Sequence, residues 1–269
     1  MRKKADKYLG LLWIRMRASV QYRFSFVSGI ISTLLQIAIQ YAIWTQVFKN
    51  RVSINGFERA DMFTYLLVSQ SLLIIFSFRN APERMISQKI KQGDIALELI
   101  HPVQFTLARF FENLGDSVMN IGIAILFVVV CGCVFPDFIV PKSIGSVLMF
   151  LLSVCFSYLI MFFISAMAGY LTFFTMNFWG IYNAKKAIVD FLSGALIPIA
   201  LFPESVRWIF SYLPFQNIVY TPVMIFLEKY TMRECGVQLL IQCIWMIVLM
   251  CLNEWVYKVS VRRISVNGG

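Results

Sequence analysis

The sequence predicts an all-α integral membrane protein. It should have six transmembrane helices, an N-terminal interfacial helix, a helical cytoplasmic loop and broken, re-entrant helices on the external side. Three observations predict this. First, the 269 residues are 59% hydrophobic and 14% charged, with a mean hydropathy of +0.73. A soluble chain is nearer ~25% charged, and so apolar a chain cannot cover itself with polar surface in water. Second, charge-free intervals long enough to cross a bilayer recur along the chain, at 24–48, 62–78, 117–136, 143–184 and 235–253, with a shorter one at 191–203. Charge at the bilayer centre is costly, so these intervals mark the spans. Third, runs such as Ile121–Val130 are continuously apolar, whereas barrel strands alternate; helices therefore satisfy the backbone in lipid. A soluble enzyme, a secreted disulfide scaffold and a disordered tail are excluded.

The net charge of +10 then takes a topological meaning. Basic residues favour cytoplasmic loops, so the excess points to orientation and not to nucleic acid. Residues 1–23, the 79–113 loop, Lys185 with Lys186, and the tail carry seventeen Lys and Arg. The opposite loops carry seven, including Lys49, Lys142, Arg207 and Lys229. Both termini are expected in the cytoplasm.

Taken in order, residues 5–22 read as an interfacial helix, with Tyr8, Leu12, Met16 and Val20 on one face and Lys7, Arg15 and Arg17 off it. A plain basic tail is the other reading. Spans follow at 24–48 and 61–79. The 79–113 loop should begin with a short amphipathic helix. Asn80 can cap it and Pro82 suits its first turn. Met85, Ile86 and Ile90 form an apolar stripe among Glu83, Arg84, Lys89 and Lys91. Gly93 can end it, and Asp94 can cap a second short helix through Leu99 before Pro102. Such a knob is either a docking surface for a cytosolic partner or a helix lying on the headgroups.

Spans at 115–135, 144–170 and 178–200 come next. The last carries Lys185, Lys186 and Asp190 in its first half. Lys186 and Asp190 can pair at i,i+4; the alternative makes Asp190 a substrate or proton site. Residues 195–234 are broken by Pro198, Pro203, Pro214 and Pro222 into stretches too short to span. They are either re-entrant segments beside a pathway or an external interfacial loop anchored by Trp208 and Tyr212. The last span is 236–257. One membrane domain, 1–269, is the simplest organisation.

No catalytic constellation assembles. There is no Gly-Lys dipeptide for a phosphate-cradling loop, and the single His, His101, precedes a Pro. The six Cys lie in or beside apolar spans without zinc spacing. The chain is not expected to be an enzyme or to hold a metal or cofactor.

The two loop regions, in this order in a six-span chain, resemble the permease subunits of ABC-2 type ATP-binding cassette exporters, and a subgroup of short bacterial permeases in particular. Gly93-Asp94-Ile95…Leu99-Ile100…Pro102 resembles the family's "G-D…L…P" element after the second helix. Ser193-Gly194…Pro198…Phe202-Pro203…Leu213-Pro214-Phe215 resembles its "S-G…P…P…L-P-F" element before the last helix. The resemblance implies a coupling helix within 81–100, with Met85, Ile86 and Ile90 filling a groove on an ATPase and Glu83 and Arg84 at the rim. It implies that Ser193, Gly194, Pro198, Pro203, Pro214 and Phe215 belong to re-entrant helices along the pathway. It implies a separate ATPase subunit that binds ATP and magnesium, and a second permease, identical or paralogous. It also implies lipid partners, a bacterial inner (plasma) membrane location, and export of a hydrophobic or amphipathic drug, peptide or lipid-like substrate. A stand-alone secondary transporter or channel, and a membrane enzyme acting on lipids, are the competing functions.

Overall fold

A computed structural model describes residues 2–19, 23–76, 81–92, 104–135, 137–175 and 177–262. Helix α1 covers Arg2–Ser19 and α2 covers Arg23–Val47. A two-residue-strand hairpin follows, β1 Ser53–Ile54 and β2 Phe57–Glu58. Its turn is Asn55-Gly56, with φ of +48° and +80°, the pairing that lets a tight turn follow the twist of its strands. Helix α3, Arg59–Ile75, starts from a reciprocal cap in which the Glu58 amide donates to Asp61 Oδ2 at 2.9 Å. Next come α4 Pro82–Gln92, α5 Phe105–Val134, α6 Ile144–Thr175 and α7 Phe178–Leu192. A 3-10 turn at Ile199–Leu201, α8 Glu204–Ser211, a second 3-10 turn at Pro214–Asn217 and α9 Tyr220–Phe226 lead to α10, Met232–Val261. The last helix opens on a second reciprocal cap, Thr231 with Glu234.

Helix α6 is the axis of the bundle. It packs along α10 and also meets α4, α7 and α9. Its packed positions are small: Ser153, Ser157, Ser165, Ala166, Ala168 and Gly169 are buried. Small side chains let helices approach closely where lipid gives no hydrophobic drive for association. Larger residues fill the spaces around them, notably Tyr65, Leu72, Ile86, Ile160, Tyr170 and Val223. The outer surface is apolar, with Leu35 and Ile39 of α2, Leu126 and Val129 of α5, Leu148 and Leu151 of α6, and Leu240 and Ile244 of α10 all exposed. A bundle apolar on its outside as well as its inside has lipid as its solvent.

Among the described residues, three helices are long and apolar enough to cross a membrane: Phe105–Cys133, Ile144–Thr175 and Met232–Val261. Helices α2 and α3 overlap the spans expected at 24–48 and 61–79 but are not among these three. Two expectations are corrected. The span expected at 115–135 begins ten residues earlier, because Arg109 and Glu112 lie on the helix and neutralise each other at 2.7 Å. The span expected at 178–200 stops as a helix at Leu192. Gly194, at φ +80°, turns the chain there, and Pro198 has no amide to continue a helix.

Candidate functional site

Two places on α6 hold the residues singled out by the sequence. One is the seat of α4, toward the C-terminal end of α6. The other is the turn Pro214–Asn217, which reaches α6 near its middle.

Helix α4 starts at Pro82, whose missing amide costs nothing in a first turn. Its first two turns face inward: Pro82, Glu83, Met85, Ile86 and Ser87 are buried. Gly169 of α6 makes this possible. A Cβ there would stand 2.9 Å from Glu83 Cα and 3.0 Å from Ile86 Cβ, so backbone meets backbone. Glu83 is completely buried and its Oε1 accepts from Lys185 Nζ of α7. The same ammonium donates to Ser165 Oγ of α6 at 3.0 Å and stands 5.6 Å from the Tyr182 ring centroid. One lysine therefore joins α4, α6 and α7. Glu83 Oε2 is buried with no hydrogen-bond partner among the described residues. A cavity of about 20 Å³ lies beside the start of α4, between Phe76, Pro82, Asn113, Tyr158 and Ser165; it is large enough for about one water.

This corrects the expected docking stripe. Ile86 and Met85 do not face outward; both are buried within this chain, and Ile86 joins the core beside Gly169 of α6. Burial of one such side chain is worth about 1.5–3 kcal/mol, so the stripe is consumed in holding α4 to the bundle. Glu83 is an anchor and not a rim residue. The outward surface of α4 is polar: Gln88, Lys91 and Gln92 are exposed, while Arg84, Lys89 and Ile90 are half-buried. Gly93 and Asp94, with the second short helix expected after them, lie outside the described residues, as does Asn80.

The face of α1 expected to lie on headgroups is also spoken for. Tyr8 stacks on Phe111 at 5.3 Å and its hydroxyl accepts from the Gln104 amide. Arg15 reaches Glu112 at 3.6 Å, and a Cβ on Gly115 would stand 2.5 Å from the Leu12 carbonyl oxygen. Among the described side chains of α1, Leu9, Trp13 and Ile14 are the large apolar ones that are exposed. Val20 lies outside the described residues.

The second place is built on buried polar groups. The Asn217 carbonyl accepts from Ser157 Oγ at 2.7 Å and from Gln242 Nε2 at 2.9 Å. Gln242 Oε1 in turn accepts from Ser153 Oγ at 3.0 Å, and Thr221 Oγ1 donates to Asn217 Oδ1 at 3.3 Å. At ~1.5 Å rise per residue, Ser157 lies ~20 Å into α6 and Gln242 ~15 Å into α10. The turn therefore inserts deeply between two of the helices long enough to cross a membrane. Above it, the Ser193 carbonyl accepts from the Tyr220 amide at 3.0 Å, and the Gly194 carbonyl accepts from Tyr65 Oη at 2.7 Å. The structure thus brings Ser193 and Gly194 to Tyr65 and Tyr220, and Pro214 and the half-buried Phe215 to α6 and α10. Pro198 is buried at the first 3-10 turn, and Pro203, exposed, caps α8.

The loop that follows α9 closes this end. Glu228 accepts from the Ser143 and Lys142 amides at 2.9 and 3.1 Å, and the Ser143 amide, the Ser146 hydroxyl and Lys142 together hold its carboxyl below the usual glutamate value. Lys229 donates to Asp61 Oδ2 at 2.6 Å and to the Gly56 carbonyl. Lys186 and Asp190 form the expected i,i+4 ion pair.

Lys185, Ser165, Gly169, Ser157, Asn217 and Gln242 are not among the candidate site residues read from the sequence, although Lys185 is noted there as a charge within a span. An available signal was Lys185 itself, an ionisable side chain within an expected span. The remaining five are small or amide residues whose partners lie 20 to 100 positions away.

A membrane bundle with a clamped end helix and a turn inserted from the other end narrows the choice of families. The profile described as "ABC-2 family transporter protein" matches residues 34–268. The chain belongs to the ABC-2 transporter family. Comparison with curated proteins gives no match. This ABC-2 protein is accordingly a membrane permease of the ATP-binding cassette type, a family that in general works with an ATPase partner.

Proposed function

We propose that this ABC-2 permease is an exporter subunit whose outward α4 surface, Gln88, Lys91 and Gln92 with Arg84 at its edge, docks a separate ATPase. The ATPase binds ATP and magnesium; this chain catalyses nothing itself. The observation that carries the reading is the seat of α4. A short helix with a polar outer face is fixed to two bundle helices through one buried lysine, so displacement of α4 displaces the bundle. The distribution of basic residues supports both termini and α4 on the cytoplasmic side of a bacterial inner membrane, with six crossings in all. The Pro214–Asn217 turn is then an external re-entrant segment, since irregular backbone at membrane depth is tolerated where protein buries it. A second permease, identical or paralogous, completes the pathway. The scarcity of charge around the inserted turn favours a hydrophobic or amphipathic substrate, a drug, peptide or lipid.

The test is co-expression with a separate ATP-binding cassette ATPase from the same organism. The expected result is co-purification that Lys91→Glu with Gln88→Glu abolishes, with the permease itself recovered in full. ATP hydrolysis by the isolated chain, or ATPase recovery unchanged in the variant, would refute the reading. A second reading is an ion-coupled carrier, favoured by the buried Glu83 carboxylate. Proton-driven uptake by the isolated chain in proteoliposomes would decide for it.

A further inference from the structure

The inner edge of α7 connects the two places on α6. Lys185, Val189 and Ser193 recur at i, i+4 and i+8, spacings that share one helix face, and Val189 and Ser193 are buried. Most of the remaining α7 surface is exposed, including Trp179, Ala184, Ile188 and Phe191. The helix is thus exposed along much of its length, and Lys185 ties it to α4. Eight residues on, ~12 Å along the axis, the Ser193 amide closes the last turn onto the Val189 carbonyl. The Ser193 carbonyl accepts from the Tyr220 amide, in the first residue of α9. Tyr220 is three residues past Asn217, the base of the inserted turn. An unbroken series of short polar contacts and two helical turns therefore runs from Glu83 of α4 to the inserted turn.

We infer that Lys185 is a positioning residue that couples α4 to the Pro214–Asn217 turn, with α7 as a rigid strut between them. The ammonium has two partners on two different helices, Glu83 and Ser165. When α4 moves, Lys185 follows Glu83 and α7 moves with it, or Lys185 stays on Ser165 and the link opens. Helix α6 also touches both places, through Gly169 and Ser157, but it packs along α10 for much of its length, whereas a larger share of α7 is exposed. The inference relies on the proposed function only for what pushes α4; the link itself belongs to this chain alone.

The test therefore omits the ATPase. Full-length permease in lipid nanodiscs is compared by hydrogen exchange over residues 82–92 and 212–227. Ile86→Ala loosens α4 at its buried contact. With Lys185 present, this change should raise exchange in 212–227 about threefold or more, because local opening is transmitted. In a Lys185→Met background, the same change should still raise exchange in 82–92 but add nothing in 212–227. Lys185→Arg, which can donate to both Glu83 and Ser165, should restore the transmitted effect; a purely structural lysine would give no such pattern. Glu83→Gln, which keeps the shape and removes the charge, replaces Lys185→Met if that variant is not recovered folded. An equal Ile86→Ala effect on 212–227 in both backgrounds overturns the inference, as does an effect confined to 82–92 with Lys185 intact. Failure here leaves the ATPase recovery test untouched, and failure of that test leaves this link untouched.

Discussion

Glu83 and Lys185 show what a charge inside a membrane bundle requires. Each is expensive to bury alone, and the pair is tolerated because Ser165 shares the ammonium. Removing one partner leaves an uncompensated charge, which costs about 3–5 kcal/mol. Lys185→Met should accordingly lower the melting temperature in detergent far more than Lys186→Met, whose ion pair is largely exposed. Equal shifts for the two would mean the buried pair does not hold α4. Gly169 is a second sensitive residue. An added Cβ would meet the Glu83 backbone, which cannot rotate aside, so Gly169→Ala should loosen α4, read as faster proteolysis within 82–92. Glu228 makes a pH prediction. Its folded carboxyl titrates below the ordinary glutamate value because the Ser143 amide, the Ser146 hydroxyl and Lys142 favour the anion. Its contribution is therefore fully present above the ordinary value and is lost as pH falls through the lowered one. Hydrogen exchange in 137–146 should rise at acid pH in the wild type and be high at all pH values in Glu228→Gln.

Some helix boundaries are set by local rules that lie within the sequence. The reciprocal caps at Glu58/Asp61 and Thr231/Glu234, and Gly194 after α7, are decided by neighbours in sequence, yet the spans expected at 61–79, 178–200 and 236–257 used none of them. Thr231→Ala should cost about 1 kcal/mol and fray the first turn of α10, measurable as exchange in 231–236. What the sequence did not disclose is which face of a short helix is inward. The stripe Met85, Ile86, Ile90 on α4 is equally apolar whether it meets a partner or its own chain; only Gly169, more than 80 residues away, makes room for it inside. The Tyr8 and Leu12 face of α1 was misassigned for the same reason, since Gly115 supplies the space. The start of α5 was hidden differently: Arg109 and Glu112 looked like loop charges because their neutralisation is visible only on a helix, where i and i+3 meet. Among the residues expected to be re-entrant, the prolines marked where helices break. They could not show that a carbonyl, that of Asn217, is what α6 and α10 grip, because every residue has one.

At the scale of the whole molecule, α4 and the β1–β2 hairpin lie at opposite ends of α6. Helix α4 meets it at Ser165 to Gly169, whereas Glu228 and Lys229 gather its first residues with the hairpin. Reporter fusions after Gly269 and within residues 50–58 should therefore give opposite signals, cytoplasmic for the first. A periplasmic signal from the C-terminal fusion would invert the whole assignment. The long helices α5, α6 and α10 have 29 to 32 residues in their apolar spans, or ~44–48 Å, while α3 and α7 have 17 and 15, or ~22–26 Å. A hydrocarbon layer of ~30 Å fits neither set. Thick bilayers suit the long helices upright and leave α7 short; thin ones relieve α7 and force the long helices to tilt. Acyl-chain length thus becomes a dial on the angle between α6 and its short neighbours, and transport in vesicles of graded chain length should pass through a maximum.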